Sequence, residues 1–357
     1  MIILHLFIAL IVLALSCRVT RTLSLPASRL RLLDHPNERS LHAKPVPKTG
    51  GLAILFSFAA GLATETLLKI SGLTGSRGFV VSNLLIIAML FFIAVVSLVD
   101  DWKELAPAIR FLVHIAAACG VVFGAGMIIS SLMLPLVGSY QLGVLGAPLT
   151  IFWLVWMTNL YNFMDGMDGF AGGMSVVGFG FLSMIAWAGG YYFMALLALL
   201  AVVSSGGFLI FNRPPARIFM GDAGSTFLGF LAGTLSIMGV HLGLFDLWVP
   251  ILIFSPFIVD ATITLLRRLL RGEKVWQAHR EHYYQRMVLA GWSHRKTVMA
   301  EYVLMLCCGL SAIAYMKVGA AAQLAILLGC AFVYLLLALG VRLAENRKNL
   351  RPPELAL

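Results

Sequence analysis

The sequence predicts an all-α integral membrane protein that crosses the bilayer about eleven times. Of its 357 residues, 60% are hydrophobic and only 12% are charged, whereas about a quarter of the residues of a soluble domain carry a charge. Its apolar runs are close to the roughly 20 residues that an α-helix needs to cross the hydrocarbon core. The strict alternation that is typical of membrane β-barrels is absent. The whole chain, residues 1–357, is therefore expected to form one polytopic membrane domain.

Each apolar run is a predicted helix, and the runs cover residues 2–20, 50–69, 79–99, 109–129, 143–160, 170–188, 190–210, 224–241, 247–267, 298–316 and 320–341. The first is interpreted as a retained helix, because no A-x-A-like cleavage site follows it. The pair that covers 170–210 is divided only by Ala188-Gly189-Gly190. The run at 128–137 contains Pro135 and is expected to be a loop or a half-helix.

The Lys and Arg residues predict how these helices are oriented. All but three of the 26 basic residues fall on one side of an eleven-helix arrangement, the exceptions being Lys69, Arg77 and Lys317. Basic loops stay in the cytoplasm, so the N-terminus is expected in the periplasm and the C-terminus in the cytoplasm. The predicted cytoplasmic loops cover residues 21–49, 100–108, 161–169, 211–223 and 268–297. This bias also accounts for the net charge of +10 without a nucleic-acid partner.

The most informative polar segment runs from Asn159 to Ala171, between two apolar runs. Asp165 and Asp168 each precede a glycine, and an ordinary turn between two helices would also favour Asp-Gly. The segment carries Asn162 as well, which a simple connector does not need. Ionisable groups beside a membrane are costly and usually functional, so the segment is interpreted as part of a site.

Three further carboxylates lie at predicted helix ends on the same side. Asp100 and Asp101 end the third predicted helix, where the helix dipole disfavours acids. An ordinary helix end is the alternative to a proton acceptor or a magnesium site. Asp222 immediately precedes the eighth predicted helix, so it is expected to be an N-cap, a hard-metal ligand beside a phosphate-binding helix start, or both.

The first predicted cytoplasmic loop carries two lysines. Lys44 and Lys48 flank two prolines ahead of Gly50-Gly51. This arrangement either presents a lysine to a phosphate or is an ordinary basic loop.

The last predicted cytoplasmic loop carries two histidines. His279 and His282 are three residues apart, with Arg280 between them. No third Cys or His ligand lies nearby, so an anion-binding loop is favoured over a zinc site, and a solvated basic loop is the alternative. Asp260, inside a predicted helix, either caps a neighbouring backbone or binds substrate. The five cysteines lie in or beside apolar runs and are interpreted as free, buried residues.

Together these motifs resemble those of the polyprenyl-phosphate N-acetylhexosamine-1-phosphate transferases. They occur in the family's order between about residues 34 and 285. The last loop, His-Arg-Glu-His-Tyr-Tyr-Gln, is similar to the O-antigen initiating branch, some members of which use 6-deoxy sugars. It lacks the consecutive histidines of the peptidoglycan translocase. The matching motifs are Pro47 with Gly50-Gly51, Asp100-Asp101, Asn162-x-x-Asp165-Gly-x-Asp168-Gly, Asn212-x-x-Pro215-Ala216, Phe219-Met-Gly-Asp222-x-Gly-Ser225 and His279-x-x-His282.

The resemblance implies that a UDP-N-acetylhexosamine gives its sugar-1-phosphate to undecaprenyl phosphate at the cytoplasmic face of a bacterial inner membrane, with release of UMP. It implies Mg²⁺, with Mn²⁺ as an alternative, held mainly by Asp222 with Asp100 and Asp101 close to the metal and the lipid phosphate. The implied substrate-binding residues are Phe219 against uracil, Asp168 and Asn212 at the nucleotide, Asn162 and Lys44 (or Lys48) at phosphates, and Asp165, His279, Arg280 and His282 in the surrounding loops.

A multi-spanning transporter is the alternative from a different functional class. Asp260 inside a helix and broken helices would suit one. Against it, the polar clusters gather on one predicted face, whereas an alternating-access site lies near the middle of the membrane. The expected partners are the lipid, the UDP-sugar and the membrane. A homodimer is compatible with the sequence, which does not define the oligomeric state.

Overall fold

The computed structural model describes residues 2–28, 30, 32–36, 44–71, 81–274 and 279–349. Parts of the predicted loops 21–49 and 268–297, together with Arg77, lie outside this range. The described chain is almost entirely helical, so the predicted all-α membrane fold is confirmed. Its helices are α1 Ile2–Ser24, α2 Gly50–Ile70, α3 Val81–Lys103, α4 Pro107–Cys119 (continued by a wider turn over Gly120–Gly124), α5 Gly146–Met164, α6 Phe170–Ala188, α7 Tyr192–Asn212, α8 Gly221–His241, α9 Trp248–Ile253, α10 Ser255–Leu270, α11 Tyr283–Leu289, α12 His294–Lys317 and α13 Ala320–Asn349.

Ten helices of the described residues are long and apolar enough to cross a membrane, judged by length and composition. The ninth predicted helix, 247–267, is divided into α9 and α10. Pro256 explains the division, since it has no N–H to offer the carbonyl of Leu252 four residues earlier. The Ser255 hydroxyl donates a 2.8 Å hydrogen bond to that carbonyl instead. A side chain thus replaces the missing backbone donor.

Two short antiparallel ladders accompany the helices. β1 (Leu33–Asp34) pairs with β2 (Val46–Pro47), and β3 (Ser131–Leu134) forms a hairpin with β4 (Gly138–Gln141). Of the two alternatives expected near 128–137, a loop or a half-helix, the half-helix is wrong, because the segment folds back as this hairpin. Pro135 disfavours a helix there, and Gly138 has a φ of +100°, which an L-residue rarely adopts. The predicted division at Ala188-Gly189-Gly190 is confirmed, because α6 and α7 end and begin beside it.

Helix α8 lies at the centre of the bundle, and nearly all of its residues are buried. It packs against α2, α3 and α5. Glycines permit the close approach: a Cβ added to Gly229 would lie 2.6 Å from the carbonyl oxygen of Met157, and one added to Gly51 would lie 2.8 Å from the Cα of Gly224. Small residues serve this purpose in membranes, where helices associate through van der Waals packing.

The beginning of α8 is also tied to the beginning of α2. The Phe219 N–H donates to the carbonyl of Pro47 over 2.7 Å. The N–H groups of Gly50 and Gly51 donate to the carbonyls of Phe219 and Met220 over 2.9 and 2.7 Å. These bonds satisfy donors at the start of α2 that no intrahelical carbonyl can reach. They fix the first residues of two helices next to each other, at the end of the bundle where the predicted site residues lie.

Candidate active site

Three charged side chains from α3, α4 and α8 meet at this end of the bundle. Nη1 of Arg110 lies 3.3 Å from Oδ2 of Asp100 and 3.3 Å from Oδ2 of Asp222. Asp100 is buried, and its other oxygen accepts a 2.7 Å hydrogen bond from the Leu105 N–H. The Asp222 side chain is 36% exposed. Two acids that lie 122 positions apart in sequence numbering are thus brought together around one shared cation.

Asp101 caps α8. Its two carboxylate oxygens accept hydrogen bonds from the N–H groups of Asp222 and Ala223, over 3.1 and 3.0 Å. A carboxylate is favoured at a helix start, where N–H groups are unpaired and the dipole is positive. The N-cap role expected of Asp222 is therefore wrong. Asp222 lies inside the first turn of α8, and the side chain that caps the helix is that of Asp101. With Asp101 in that role, the Asp222 carboxylate is available to other partners.

Asn162, in the last turn of α5, fixes the second oxygen of Asp222. Its Nδ2 donates to Oδ1 of Asp222 over 2.8 Å and to Oγ of Ser225 over 3.1 Å. One oxygen of Asp222 therefore faces an amide and the other a guanidinium. A carboxylate held at both oxygens keeps one orientation, as a ligand or charge-positioning group requires.

Asp168 and Asn212, both expected at a nucleotide, hold two loops together. Oδ2 of Asp168 accepts from the Ala216 N–H over 2.9 Å. Asn212 is buried; its Oδ1 accepts from the Gly169 N–H over 2.9 Å and its Nδ2 donates to the carbonyl of Ile218 over 2.8 Å. The loop 165–169 and the loop 213–218 therefore form one unit. Contact of these residues with a nucleotide stays a prediction.

Asp165 is the acid of this loop whose carboxylate accepts no hydrogen bond from the residues that the structure describes. Burial, together with the negative charges of Asp222, Asp101 and Asp168, raises the pKa of Asp165 well above the usual value for an aspartic acid. A carboxyl group in this position favours the arrival of a proton or a cation. Asp165 thus interacts electrostatically with Asp222 of the Asp100–Arg110–Asp222 cluster, although it makes no contact with Arg110.

The two candidate lysines are separated by the structure. Nζ of Lys48 lies 4.0 Å from Oδ1 of Asp101, with the side chain 29% exposed. Lys44 is exposed and makes no contact with the acidic cluster among the described residues. The backbone of Phe219 is hydrogen-bonded to Pro47 and Gly50, on either side of Lys48 in the sequence, and the Phe219 side chain is half-buried. The geometry favours Lys48 as the lysine of the site.

Asp260 organises the histidine loop. Its Oδ1 accepts from Nδ1 of His282 over 3.1 Å and from the Tyr283 N–H over 2.9 Å. Its Oδ2 accepts from the Tyr284 N–H over 3.3 Å. Of the two roles left open for Asp260, the structure has the first: its carboxylate caps the backbone at the start of α11. It also orients the ring of His282. The rings of His282 and His279 lie 4.8 Å apart.

His279 is a neutral side chain at physiological pH. Burial lowers its pKa to about 4, and the electrostatic effects of the neighbouring His282 and Arg268 act in the same direction. Anion binding by this loop would therefore depend on the charge of Arg280 and on neutral N–H donors. Among the described residues, no three His, Cys, Asp or Glu side chains are close enough together to hold a metal ion unaided.

The histidine loop packs against the Asp-Gly loop. The buried ring of Tyr284 lies 4.8 Å from the ring of Phe170, centroid to centroid. Its hydroxyl lies against Gly166, at the position that a Cβ would occupy. Gly166 is therefore required for this approach. The predicted motifs from α5 to α11 form one continuous polar end of the bundle.

A groove of about 1100 Å³ opens beside the charged cluster. Its walls come from α3, α4 and α5 and are mostly apolar, with large side chains such as Phe111, Phe152 and Trp156. The polar residues that line it include Asp100, Arg110, Asn162 and Asp222. The groove thus combines a long apolar channel with a charged end.

Comparison with known proteins identifies the family. Residues 83–240 match the model of glycosyl transferase family 4. A relative from Bacillus subtilis (strain 168), the "Probable undecaprenyl-phosphate N-acetylglucosaminyl 1-phosphate transferase", is 33% identical over 80% of this chain and 78% of its own. The chain belongs to glycosyl transferase family 4.

Two other relatives show how far this family 4 similarity extends. The "Decaprenyl-phosphate N-acetylglucosaminephosphotransferase" of Mycobacterium leprae (strain TN) is 28% identical over 78% of this chain and 75% of its own. The "Phospho-N-acetylmuramoyl-pentapeptide-transferase" of Halalkalibacterium halodurans is 31% identical over 46% of this chain and 50% of its own. The match over most of both chains is with relatives named for N-acetylglucosamine.

Arg110 is the residue of the candidate site that sequence reasoning missed. Its partners lie 10 and 112 positions away in the chain. One local signal was present: Arg110 stands in the first turn of α4, after Pro107, where the helix dipole disfavours a cation. A basic residue at such a position indicates an acidic partner outside the helix.

Proposed function

We propose that this family 4 member transfers an N-acetylhexosamine-1-phosphate from a UDP-sugar to undecaprenyl phosphate. The transfer would take place at the cytoplasmic face of a bacterial inner membrane, release UMP and start a lipid-linked cell-envelope glycan such as O-antigen. The observation that carries the proposal is the continuity between the Asp100–Arg110–Asp222 cluster and the apolar groove of about 1100 Å³. A phosphate group joined to a long hydrocarbon chain fits both parts at once.

The relatives support this choice of lipid and sugar. Their names specify undecaprenyl or decaprenyl phosphate and N-acetylglucosamine. N-acetylglucosamine is therefore the favoured sugar, with its 6-deoxy analogues as competitors. Membership of a transferase family also favours an enzyme over the multi-spanning transporter.

Mg²⁺ fits the donor set of the cluster. Mg²⁺ is usually held by one or two carboxylates together with substrate phosphates and waters, rather than by a cage of protein ligands. Asp222 supplies a partly exposed carboxylate next to Asp100, and the described residues offer no complete protein cage. A bound Mg²⁺ would supply charge neutralisation at the phosphates. Asp222 would be its main ligand, with Asp100 and Asp101 nearby.

The reaction is proposed as a single displacement. An oxygen of the lipid phosphate attacks the β-phosphorus of the UDP-sugar, and the bond from that phosphorus to the bridging oxygen of UMP breaks. Phosphoryl transfer depends chiefly on alignment and charge stabilisation. Asp100 orients the lipid phosphate or accepts its remaining proton. Arg110, which already lies between two carboxylates, is placed to contact the phosphates as they enter.

Release of UMP from purified protein tests the proposal. A panel of UDP-N-acetylhexosamines, with and without the 6-hydroxyl, is incubated with undecaprenyl phosphate or with undecaprenol as the matched control. We expect UMP and a lipid-linked product with the phosphate only, and with UDP-N-acetylglucosamine among the best donors. Absence of UMP with every donor, together with accumulation of UDP-sugar in sealed vesicles, would replace the enzyme by a transporter.

A further inference from the structure

A histidine lines the groove at a position where the neighbouring lining residues are mostly apolar. His114 is 5% exposed and stands on α4 four residues after Arg110. Residues four apart lie on the same helix face, so His114 is about 6 Å further along the groove than Arg110. Both side chains line this groove. A polar group inside a membrane protein is costly unless it has a partner, so an imidazole here indicates a ligand contact.

Asn159 of α5 determines which nitrogen of the ring carries the proton. Its Nδ2 donates to the carbonyl of Val155 over 2.7 Å and lies 3.3 Å from Nδ1 of His114. An amide nitrogen has only hydrogens to offer, so the neutral ring accepts at Nδ1 and carries its proton on Nε2. Nε2 has no hydrogen-bond partner within the described part of the chain. The ring of His114 therefore presents an N–H donor in a fixed tautomer, with no partner for that N–H among the described residues.

We propose that Nε2–H of His114 donates a hydrogen bond to the phosphate of the polyprenyl phosphate. The His114–Asn159 pair would then make the groove selective for the phosphorylated lipid over its alcohol. This inference rests on the proposed function. The apolar chain occupies the groove, so its phosphate must lie where the groove meets Arg110, one helical turn from His114.

A neutral donor suits this position. A hydrogen bond to a charged acceptor is stronger than one between neutral groups, so an N–H recognises the phosphate without adding another full charge. A second cation beside Arg110 would hold the attacking oxygen more tightly and make it a weaker nucleophile. A neutral histidine whose Nδ1 faces Asn159 would bind the phosphate through Nε2–H and leave it reactive.

The test compares His114→Leu with His114→Gln. Glutamine can accept from Asn159 through its oxygen and donate into the groove through its nitrogen, whereas leucine can do neither. Steady-state UMP release gives KM for undecaprenyl phosphate and, separately, for the UDP-sugar. We expect His114→Leu to raise KM for the lipid by about tenfold or more, the effect of one lost hydrogen bond to a charged group. KM for the UDP-sugar should stay the same, and His114→Gln should keep most of the lipid affinity.

A binding measurement without turnover separates the headgroup from the chain. The shift in Tm of the detergent-solubilised protein is recorded with undecaprenyl phosphate and with undecaprenol. His114→Leu should lose the additional shift that the phosphate gives. The matched control is Phe111→Leu, which changes an apolar wall of the same groove and should weaken both lipids alike.

Two results would overturn the inference and leave His114 as a packing residue. One is that His114→Leu reduces the Tm shifts of undecaprenyl phosphate and undecaprenol equally, and the other is an unchanged KM for undecaprenyl phosphate. If the leucine variant does not fold, Asn159→Leu takes its place: it frees the ring tautomer, and a phosphate-specific loss is again expected. A wild-type protein that prefers undecaprenyl phosphate to undecaprenol but releases no UMP would remove the proposed function while leaving the binding result readable.

Discussion

At the scale of single residues, the site depends on one cation shared by two acids. Arg110 contacts Asp100 and Asp222 at equal distances of 3.3 Å. If Arg110 is removed, a buried carboxylate and a half-exposed one face each other without a counter-charge, which is costly. In the proposed reaction the same guanidinium would contact the incoming phosphates. Its loss should therefore affect both the resting site and the reaction.

Arg110→Gln is expected to lower kcat/KM by about 100-fold or more, in the range found when a charge-stabilising donor is removed. Arg110→Lys should recover part of the loss, because an ammonium keeps the charge but lacks the planar fork. UMP release measures the effect. Lys103→Gln is the matched control, since Lys103 is an exposed basic residue at the end of α3, the helix before α4. Wild-type kinetics in Arg110→Gln would contradict this role.

The two acids should respond differently to pH. A phosphate monoester has a second pKa of about 6, so above that pH the lipid phosphate attacks without help from a base. Asp100→Asn is therefore expected to lose more activity near pH 6 than near pH 9, and Asp222→Asn should be inactive at both. Rate–pH profiles of the two variants test this difference. A sugar-phosphate adduct on Asp100 or Asp101, or exchange of UMP into UDP-sugar without lipid, would instead indicate a covalent two-step reaction.

At the scale of elements, the site is made from helix ends held together by backbone contacts. Gly51 of α2 meets Gly224 of α8, and Asp101 at the end of α3 caps the same helix. The loop before α6 and the loop before α8 are joined through Asn212. The positions of the acids thus depend on how closely the helices approach.

Gly51→Ala is expected to destabilise the protein by about 1–3 kcal/mol, the usual cost of overpacking. The new Cβ would lie 2.8 Å from the Cα of Gly224 and 2.9 Å from the carbonyl oxygen of Met220, so backbone would have to move. Thermal unfolding in detergent measures the change. Gly180→Ala in α6 is the control, because a Cβ there meets nothing within 4 Å. An equal Tm for the two variants would show that the helices can separate freely.

The histidine loop should make stability depend on pH. Burial lowers the pKa of His279 to about 4 in the folded protein, below the value of about 6.5 in an unfolded chain. The unfolded state therefore binds more protons between these values, and stability is lost as the pH falls from about 6.5 towards 4. Tm at neutral and at acidic pH should differ less in His279→Gln than in the wild type. The exposed His241, replaced in the same way, provides the comparison; an unchanged pH dependence in His279→Gln would contradict this assignment.

The positions of most membrane-spanning helices were predictable, because each helix corresponds to one apolar run in the sequence. Helices such as α2 and α6 follow from apolar runs of membrane length between polar loops. The hairpin at 131–141 was missed, since its first strand lies in an apolar run and strand pairing is not visible in hydropathy. The break at Pro256 was missed because the apolar pattern continues through it.

The sequence predicted which residues gather at the candidate site, but not how they contact one another. Asp100, Asp222 and Asn162 do meet, as expected from motifs on one predicted face. The position of Arg110 in the first turn of α4 indicates an acidic partner, but the identity of that partner and the capping role of Asp101 depend on which helix ends touch, and no local pattern contains that information. Similarly, the choice between Lys44 and Lys48 required the pairing of residues 47–51 with 219–220.

At the scale of the whole molecule, the site residues occupy one end of the bundle. That end is predicted to face the cytoplasm, because nearly all basic residues belong to it. In an otherwise cysteine-free protein, Ser139→Cys in the β4 strand is expected to react with an impermeant thiol reagent from outside intact cells. Arg295→Cys at the start of α12 should react only after the membrane is opened. Labelling in the reverse sense would invert the topology and move the site to the periplasm.

The break between α9 and α10 has a consequence for the end of the chain. The Ser255 hydroxyl that satisfies the Leu252 carbonyl itself accepts a 2.7 Å hydrogen bond from Tyr334 of α13. Helix α13 is otherwise the least enclosed span of the bundle, with only 6% of its most apolar window buried. Little of its surface is held by the rest of the bundle, yet its Tyr334 hydroxyl continues the chain of hydrogen bonds through Ser255 to the Leu252 carbonyl, just before α10 begins. Because α10 carries Asp260, a chain shortened before residue 334 would lose a distant support of its own histidine loop.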